Sequence, residues 1–134
     1  MSSITRKTVA LTTAALAAAG IVGGLALPAL ADLGGASAPE VRAAAIVNAD
    51  GSVVRSRGVT GVRKIATGQY CVRMDDDIDA SRVVPVASVQ WSSTPWDGNV
   101  FLRHDNAGCA DREVFVGTGV AAGGRDIGFH IIVP

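Results

Sequence analysis

The sequence has a shortage of three helix-forming residue types, and this shortage predicts its fold class. Beyond residue 31, glutamate occurs only at Glu40 and Glu113, lysine only at Lys64, and leucine only at Leu33 and Leu102. These residue types are strong helix formers. The same stretch contains sixteen valines and six isoleucines, whose β-branched side chains favour strands. The composition therefore predicts a domain with little or no helix.

The chain also lacks an excess of charge of either sign, and it lacks the common catalytic motifs. Twelve basic residues balance twelve acidic ones, which gives no electrostatic footprint for nucleic acid or for an anionic membrane. The chain has no CxxC pair, no GxSxG nucleophile elbow and no glycine-rich phosphate loop ahead of a helix. Two histidines and two paired cysteines leave no zinc ligand set. We therefore expect a protein that is not an enzyme and needs no cofactor or metal.

The first thirty-one residues have the layout of a signal peptide. Arg6 and Lys7 precede an uncharged run that extends to Ala31, and small residues at Ala29 and Ala31 suit a signal peptidase. A retained membrane anchor is the alternative, because the run is long enough to cross a bilayer. Its richness in Ala, Gly and Thr favours removal instead. We place the cleavage after Ala31 and predict a secreted protein without a membrane span after cleavage.

The 103 residues that follow the proposed cleavage suffice for one domain. Residues 32–43 are small and polar at their start and predict a flexible leader, and residues 44–134 predict the folded domain. Apolar runs between turn signals predict strands at residues 44–49, 52–57, 62–66, 69–74, 83–91, 99–104, 113–118 and 128–133. Seven or eight short strands indicate a single antiparallel β-sandwich or a small barrel, and we favour the sandwich.

Local signals refine this prediction. Asp50-Gly51 and Thr67-Gly68 are expected to turn two hairpins. The alternation in residues 69–74 places Tyr70, Val72 and Met74 on one face of their strand. Pro85 cannot donate a ladder hydrogen bond, so its strand is expected at an edge or at its own beginning.

The two cysteines, Cys71 and Cys109, predict a disulfide. Export to an oxidising space and an even cysteine count both favour a bridge between them. Such a bridge would stabilise the domain by roughly 4 kcal/mol according to chain-entropy arithmetic. The alternative is a reactive thiol, but neither cysteine has a neighbouring histidine in the sequence.

The acidic run at residues 75–79 resembles the start of a calcium loop, with Asp75, Asp77 and Asp79 at alternating positions. Ala80 stands where that loop needs glycine, and Val86 stands where a glutamate should close the cage. We favour a solvated turn, with a weak cation contact left open.

The two histidines offer little for catalysis. His104-Asp105 could supply a base and its orienting acid, but a triad would also need a placed nucleophile. His130 is expected to point to the opposite face of its strand from Phe129. Both histidines are therefore interpreted as structural or exposed residues.

Trp91 and Trp96 flank a short polar loop and are the candidate partner-binding residues. Aromatic rings contribute much of the energy of interfaces. Trp91 closes a run of apolar strand positions and is expected to pack in the core. Trp96 lies among the turn residues Pro95, Asp97 and Gly98 and is expected to contact a partner.

Three phrases of the sequence, AIVNADGSVVRSRGV, TGQYCVRM and DIGFHIIVP, resemble small secreted actinobacterial proteins that have no assigned function. The resemblance covers most of residues 44–134 and implies a β-sandwich-like domain, without implying any activity or site. We therefore expect an extracellular binding or surface-interaction domain whose partner is a protein or a glycan. A secreted inhibitor, for example of a protease, is the first alternative, and a small hydrolase is the second.

Overall fold

The computed structural model describes residues 32–105 and 107–134 of the chain. Within these residues the backbone forms strands and one turn of 3-10 helix, but no α-helix. The strands are β1 (Ala43–Val47), β2 (Val53–Arg57), β3 (Val59–Ala66), β4 (Gln69–Met74), β5 (Val86–Val89), β6 (Asn99–Leu102), β7 (Glu113–Val120), β8 (Gly123–Gly124) and β9 (Phe129–Val133). The predicted all-β fold is confirmed. The predicted signal peptide, residues 1–31, lies outside the described residues.

The strands form two antiparallel sheets that make a β-sandwich. Sheet A has the strand order β2-β1-β9-β5, and sheet B has the order β3-β4-β7-β6, with β8 pairing to β7. The sandwich that the sequence favoured over a barrel is therefore correct. In the described part of the chain, no helix has the length and apolarity that a membrane crossing requires.

The core lies between the sheets and is built from alternate residues of their central strands. Sheet A contributes small and branched side chains, and sheet B contributes larger ones: Ala43, Ala45, Val47, Phe129, Ile131 and Val133 face Tyr70, Val72, Met74, Val114 and Val116. Full burial of each large side chain stabilises the fold by about 1.5–3 kcal/mol. The predicted inward face of β4 is confirmed.

Tyr70 and Phe129 connect the two sheets through their rings. The ring centroids lie 5.2 Å apart with the planes tilted by 58°, a geometry that aromatic pairs favour. The Tyr70 hydroxyl donates a hydrogen bond to the carbonyl oxygen of Ala49 at 2.6 Å. Burial raises the pKa of this phenol. A tyrosine therefore fits the core here because its one polar atom has a partner.

Both predicted hairpins are present. β1 and β2 pair across the Asp50-Gly51 turn, and β3 and β4 pair across Thr67-Gly68. Gly51 has φ +91° and Gly68 has φ +69°, values that L side chains rarely adopt. The Asp50 carboxylate accepts hydrogen bonds from the backbone N–H and the hydroxyl of Ser52, at 2.9 and 2.6 Å. These bonds lower the pKa of Asp50.

The strand that follows Pro85 is shorter than the sequence predicted. β5 spans only Val86–Val89 and lies at an edge of sheet A, as Pro85 indicated. Its backbone pairs with β9 from Val86 to Val89, and the chain then leaves the ladder. The short β8, at Gly123–Gly124, was not predicted. Two consecutive glycines have no side chains, so no apolar pattern could predict a strand there.

Residues 32–43, which the sequence predicted as a flexible leader, pair with the folded domain. Gly35 forms a parallel bridge with Ser56 of β2, and backbone hydrogen bonds join Gly34 and Ala36 to the same residue. The N–H of Leu33 donates to the carbonyl of Val59 at 2.9 Å. Backbone groups make most of these contacts. The segment therefore needs no pattern of apolar side chains, and the sequence does not indicate the pairing. The segment covers the outer edge of β2, whose backbone N–H and C=O groups would otherwise be unpaired. An exposed strand edge of this kind can pair with another chain.

The disulfide between Cys71 and Cys109 is confirmed. The two Cα atoms lie 5.5 Å apart, and the bridge ties β4 to the loop before β7 across 38 positions. Cys71 lies on the outer face of sheet B, opposite to the core face that carries Tyr70 and Val72. The bridge therefore closes over the side of β4 that the core does not reach.

Candidate functional site

Trp91 lies on the loop that follows β5 and not in the core. The strand ends at Val89, Gln90 is extended, and residues Trp91–Ser93 form a 3-10 turn. The Trp91 side chain is 75% exposed. The prediction that this ring packs in the core is therefore wrong, because the alternation of β5 stops two residues before it.

Trp96 occupies the tip of the same loop. The N–H of Gly98 donates to the carbonyl oxygen of Pro95 at 2.8 Å, which closes a turn around Trp96 and Asp97. Trp96 is 92% exposed, as its position among turn residues indicated. Its ring centroid lies 5.0 Å from that of Trp91, and the ring planes are 81° apart. The two tryptophans thus form one exposed edge-to-face pair, which we call the indole pair.

Hydrogen bonds hold the indole pair's loop against sheet A. The N–H of Gln90 donates to the carbonyl of Gly128 at 2.8 Å, and the N–H of Gly128 donates to the Ser93 hydroxyl at 2.9 Å. The Thr94 hydroxyl donates to the carbonyl of Gln90. These contacts involve backbone groups on both sides of the loop's first turn. The loop therefore leaves β5 in one defined direction.

Gly128 permits this close approach. A Cβ atom at this position would lie 2.9 Å from the Ser93 hydroxyl oxygen and 3.0 Å from the carbonyl oxygen of Val47. Neither distance occurs in ordinary packing, so a side chain would push the loop away. On the far side of the loop, the Asp97 carboxylate accepts the N–H of Ala121 at 3.3 Å. The loop is held at both ends.

Two carboxylates of the acidic run at residues 75–79 have partners elsewhere. Asp76 forms an ion pair with Arg112, and Asp79 accepts the backbone N–H and hydroxyl of Ser81. The hydrogen bonds from Ser81 lower the pKa of Asp79. Burial, with the charges of Asp32, Asp77 and Asp76 adding to it, raises the pKa of Asp75. This arrangement agrees with the interpretation of the run as a turn between strands.

The two histidines belong to different sheets, since His104 follows β6 of sheet B and His130 lies on β9 of sheet A. The Asp105 carboxylate pairs with Arg103 through two contacts of 2.7 Å, which lower its pKa. His104 is exposed in the segment that follows β6. His130 is exposed on the outer face of β9, while Phe129 and Ile131 are buried on the inner face. The predicted orientation of His130 is correct.

An ion pair with a buried carboxylate, which the sequence did not reveal, lies beside the disulfide. The Arg63 guanidinium binds the Glu113 carboxylate with contacts of 2.7, 2.9 and 3.2 Å, and the N–H of Ala110 donates to the same carboxylate at 2.7 Å. The bond from Arg63 is the main reason for the lowered pKa of Glu113. Fifty positions separate Arg63 from Glu113, so no local pattern could have predicted the pair.

Glu113 and the two cysteines are the one group of three metal-ligating residue types that come together in the described ranges, with ligand atoms within 4.8 Å of one another. Both sulfur atoms belong to the disulfide. Metal binding requires thiolates, and the bridge leaves none. This group therefore consists of one disulfide and one ion pair, and its role is structural.

No protein-family model, curated protein or solved structure matches this chain. The resemblance to small secreted actinobacterial proteins stays a prediction. The indole pair is the candidate site because of its exposure and its defined geometry.

Proposed function

We propose that this protein is a secreted, non-catalytic binding domain that contacts an extracellular protein or glycan through Trp91 and Trp96. The exposure of both rings on a held loop is the observation that carries the proposal. Large aromatic side chains in water forgo the free energy of burial, and exposed aromatic residues are enriched where proteins bind partners.

The held loop supports this proposal because preorganisation lowers the cost of binding. Ordering a flexible side chain or loop at an interface costs about 0.5–1.5 kcal/mol per side chain. The hydrogen bonds of Ser93, Thr94 and Gly98 fix much of the loop's backbone before any partner arrives. The ring contact between Trp91 and Trp96 restricts both side chains further.

Secretion is supported by two features. The first thirty-one residues have the layout of a signal peptide. The Cys71–Cys109 disulfide is typical of proteins in oxidising compartments. The non-catalytic assignment is supported by the contacts of the candidate acid, because Asp105 binds Arg103 and so does not orient His104 as a base.

Inhibition of another secreted protein is the second candidate function. The loop from Trp91 to Asn99 contains Pro95 and is attached at both ends, and a rigid exposed loop is what many inhibitors insert into a target. An inhibitor would block a target's activity at stoichiometric concentration. A surface-binding domain would bind without that effect.

Binding of the secreted protein to glycans and proteins from the producing organism's surface tests the proposal. Trp96→Ala and Trp91→Ala are each expected to weaken binding by tenfold or more, the loss that about 1.4 kcal/mol represents. Phe101→Ala is the matched control, because Phe101 is a half-exposed aromatic residue on β6, outside this loop. Equal affinities for all four proteins, or turnover of a glycan, ester or peptide substrate, would refute the proposal.

A further inference from the structure

A second surface of the domain lies on the outer face of sheet A and does not involve the tryptophans. Ala45, Ser56 and Ile131 point into the core, so the alternate residues of the same strands point outward. The strand register places the outward residues in two rows across the sheet. The first row reads Arg55, Ile46, His130, Ser88, and the second reads Arg57, Ala44, Ile132, Val86.

This outer face carries positive charge that has no partner. In residues 32–105 and 107–134, ion pairs engage Arg63, Lys64, Arg103 and Arg112, all outside these two rows. Arg55 and Arg57 take part in none of them. None of the eight outward positions is acidic. The face therefore combines unpaired guanidinium groups with an apolar surface, which an anionic and partly apolar ligand would complement.

The leader turns part of this face into a cleft. Residues 35–38, which we call the strap, line this cleft together with the outward-facing residues Ala44, Ile46, Ile132, Arg55 and His130. The cleft has a volume of about 400 Å³, which falls within the range of small-molecule sites, roughly 300–1,000 Å³. None of the described residues that line it is acidic.

The strap depends on glycine and small residues. Gly35 has φ +87°, and a Cβ atom there would lie 3.4 Å from the Cβ of Arg55. The strap residues Gly35, Ala36, Ser37 and Ala38 have little side-chain volume, so they leave the cleft open. Backbone bonds between the leader and Ser56 hold the strap at the edge of β2, next to Arg55.

Arg55 and His130 stand on opposite sides of Ile46 in the first row. Adjacent strands of a sheet are about 4.7–4.9 Å apart, so their backbones are separated by roughly twice that distance. Both side chains line the cleft, so one small group above Ile46 can contact both of them. Arginine is well suited to bind a carboxylate through two parallel hydrogen bonds.

We propose that this cleft binds a small free carboxylic acid with an apolar chain, whose carboxylate lies between Arg55 and His130 and whose chain lies over Ile46 and Ile132. The strap covers the chain, and Arg55 supplies the charge. The inference does not depend on the indole pair, because none of the cleft's lining residues belongs to that loop.

Titration of the secreted protein with sodium octanoate, followed by amide NMR, tests this proposal. Saturable shifts are expected at residues 36–38, 44–46, 55 and 130–132. 1-Octanol, which keeps the chain and lacks the charge, and acetate, which keeps the charge and lacks the chain, are each expected to bind at least tenfold more weakly. Shifts that do not saturate, or equal binding of octanol, would overturn the proposal.

Substitutions locate the carboxylate. Arg55→Ala is expected to weaken octanoate binding about tenfold or more, the usual scale for a charge-assisted pair. Arg57→Ala is the matched control, since Arg57 lies on the same strand and the same face but does not line the cleft. Equal effects of the two substitutions would show attraction to general positive charge only, and would refute the site.

Two further variants and one peptide ligand separate the remaining outcomes. Ile46→Glu, which places a negative charge in the cleft, is expected to abolish octanoate binding, while the amide spectrum should remain that of a folded protein. Trp96→Ala is expected to leave octanoate binding unchanged, so that failure of the cleft and failure of the indole pair give different results. Tighter binding of a short peptide through its C-terminal carboxylate would replace the proposed ligand with a peptide and refute the assignment.

Discussion

The Arg63 guanidinium on β3 binds the Glu113 carboxylate on β7 by reaching across β4, the strand between them. The pair crosses β4 beside Cys71, which lies opposite Arg63 in the register. Glu113 is almost fully buried, while about half of the Arg63 side chain is exposed. A buried carboxylate that lost this partner would retain one backbone hydrogen bond and its desolvation cost.

Substitution of Glu113 is therefore predicted to destabilise the domain in a pH-dependent way. Glu113→Gln is expected to lower the free energy of unfolding by about 1–3 kcal/mol at neutral pH. The pKa of Glu113 is lower in the folded protein than its ordinary value of 4.5. The ionised pair thus contributes stability above that pH, and the contribution is lost as the pH falls through the lowered folded value.

Urea unfolding of both proteins between pH 2 and pH 7 measures this difference. The difference in stability between the wild type and Glu113→Gln should be full at pH 7 and should shrink below about pH 4.5. Asp105→Asn, which removes an exposed ion pair with Arg103, serves as the control and should change stability much less. A constant difference at every pH would show that the charge of Glu113 does not contribute.

The Cys71–Cys109 bridge is predicted to supply a large part of the domain's stability. A bridge that closes a loop of 38 residues stabilises by roughly 4 kcal/mol in the chain-entropy model, of a total of about 5–15 kcal/mol for a small domain. Thermal melts with and without reductant should show this loss. Thiol titration of the denatured, unreduced protein should find no free thiol, and two free thiols per chain would contradict the bridge.

Both tryptophans are predicted to be dispensable for folding. Trp91→Ala and Trp96→Ala should each change stability by less than about 1.5 kcal/mol, the upper value for an aromatic pair contact. Deletion of a buried large aromatic residue would cost about 3–5 kcal/mol. A melt of Trp91→Ala that shows the larger loss would restore the core position that the sequence indicated.

Native fluorescence gives an independent test, since the protein has two tryptophans and both are exposed. Emission of the folded protein should lie close to that of the unfolded protein, and acrylamide should quench it efficiently. Strongly blue-shifted emission that resists quenching would place at least one ring in an apolar environment.

Export is predicted to remove residues 1–31. Intact-mass analysis of the protein from culture medium should give the mass of a chain that begins at Asp32. A product that retains the uncharged run and sediments with membranes would establish the anchor alternative.

Asp32 contributes to the fold, because its carboxylate accepts the N–H groups of Gly34 and Gly58, both at 2.8 Å.

The prediction of strands succeeded where the cause of structure is local. β1 follows from a continuous apolar run, and β4 follows from the alternation of Tyr70, Val72 and Met74 with the residues between them. Asp50-Gly51 and Thr67-Gly68 act within a few residues of themselves. The prediction failed at Trp91 because a strand ends where its partner ends. The pairing of β5 with β9 ends at Val89 and Phe129. Beyond it, the N–H of Gly128 donates to the Ser93 hydroxyl of the loop.

The sequence by itself determined the fold class, the two hairpin turns, the disulfide and the exposure of Trp96. Each depends on composition, on turn chemistry within four residues, or on an even cysteine count. Tertiary structure decided the exposure of Trp91, the pairing of the leader with β2, the Arg63–Glu113 pair and the cleft beside Arg55. All four depend on which strands become neighbours in a sheet, because a sheet brings together backbone and side-chain groups that are distant in the chain.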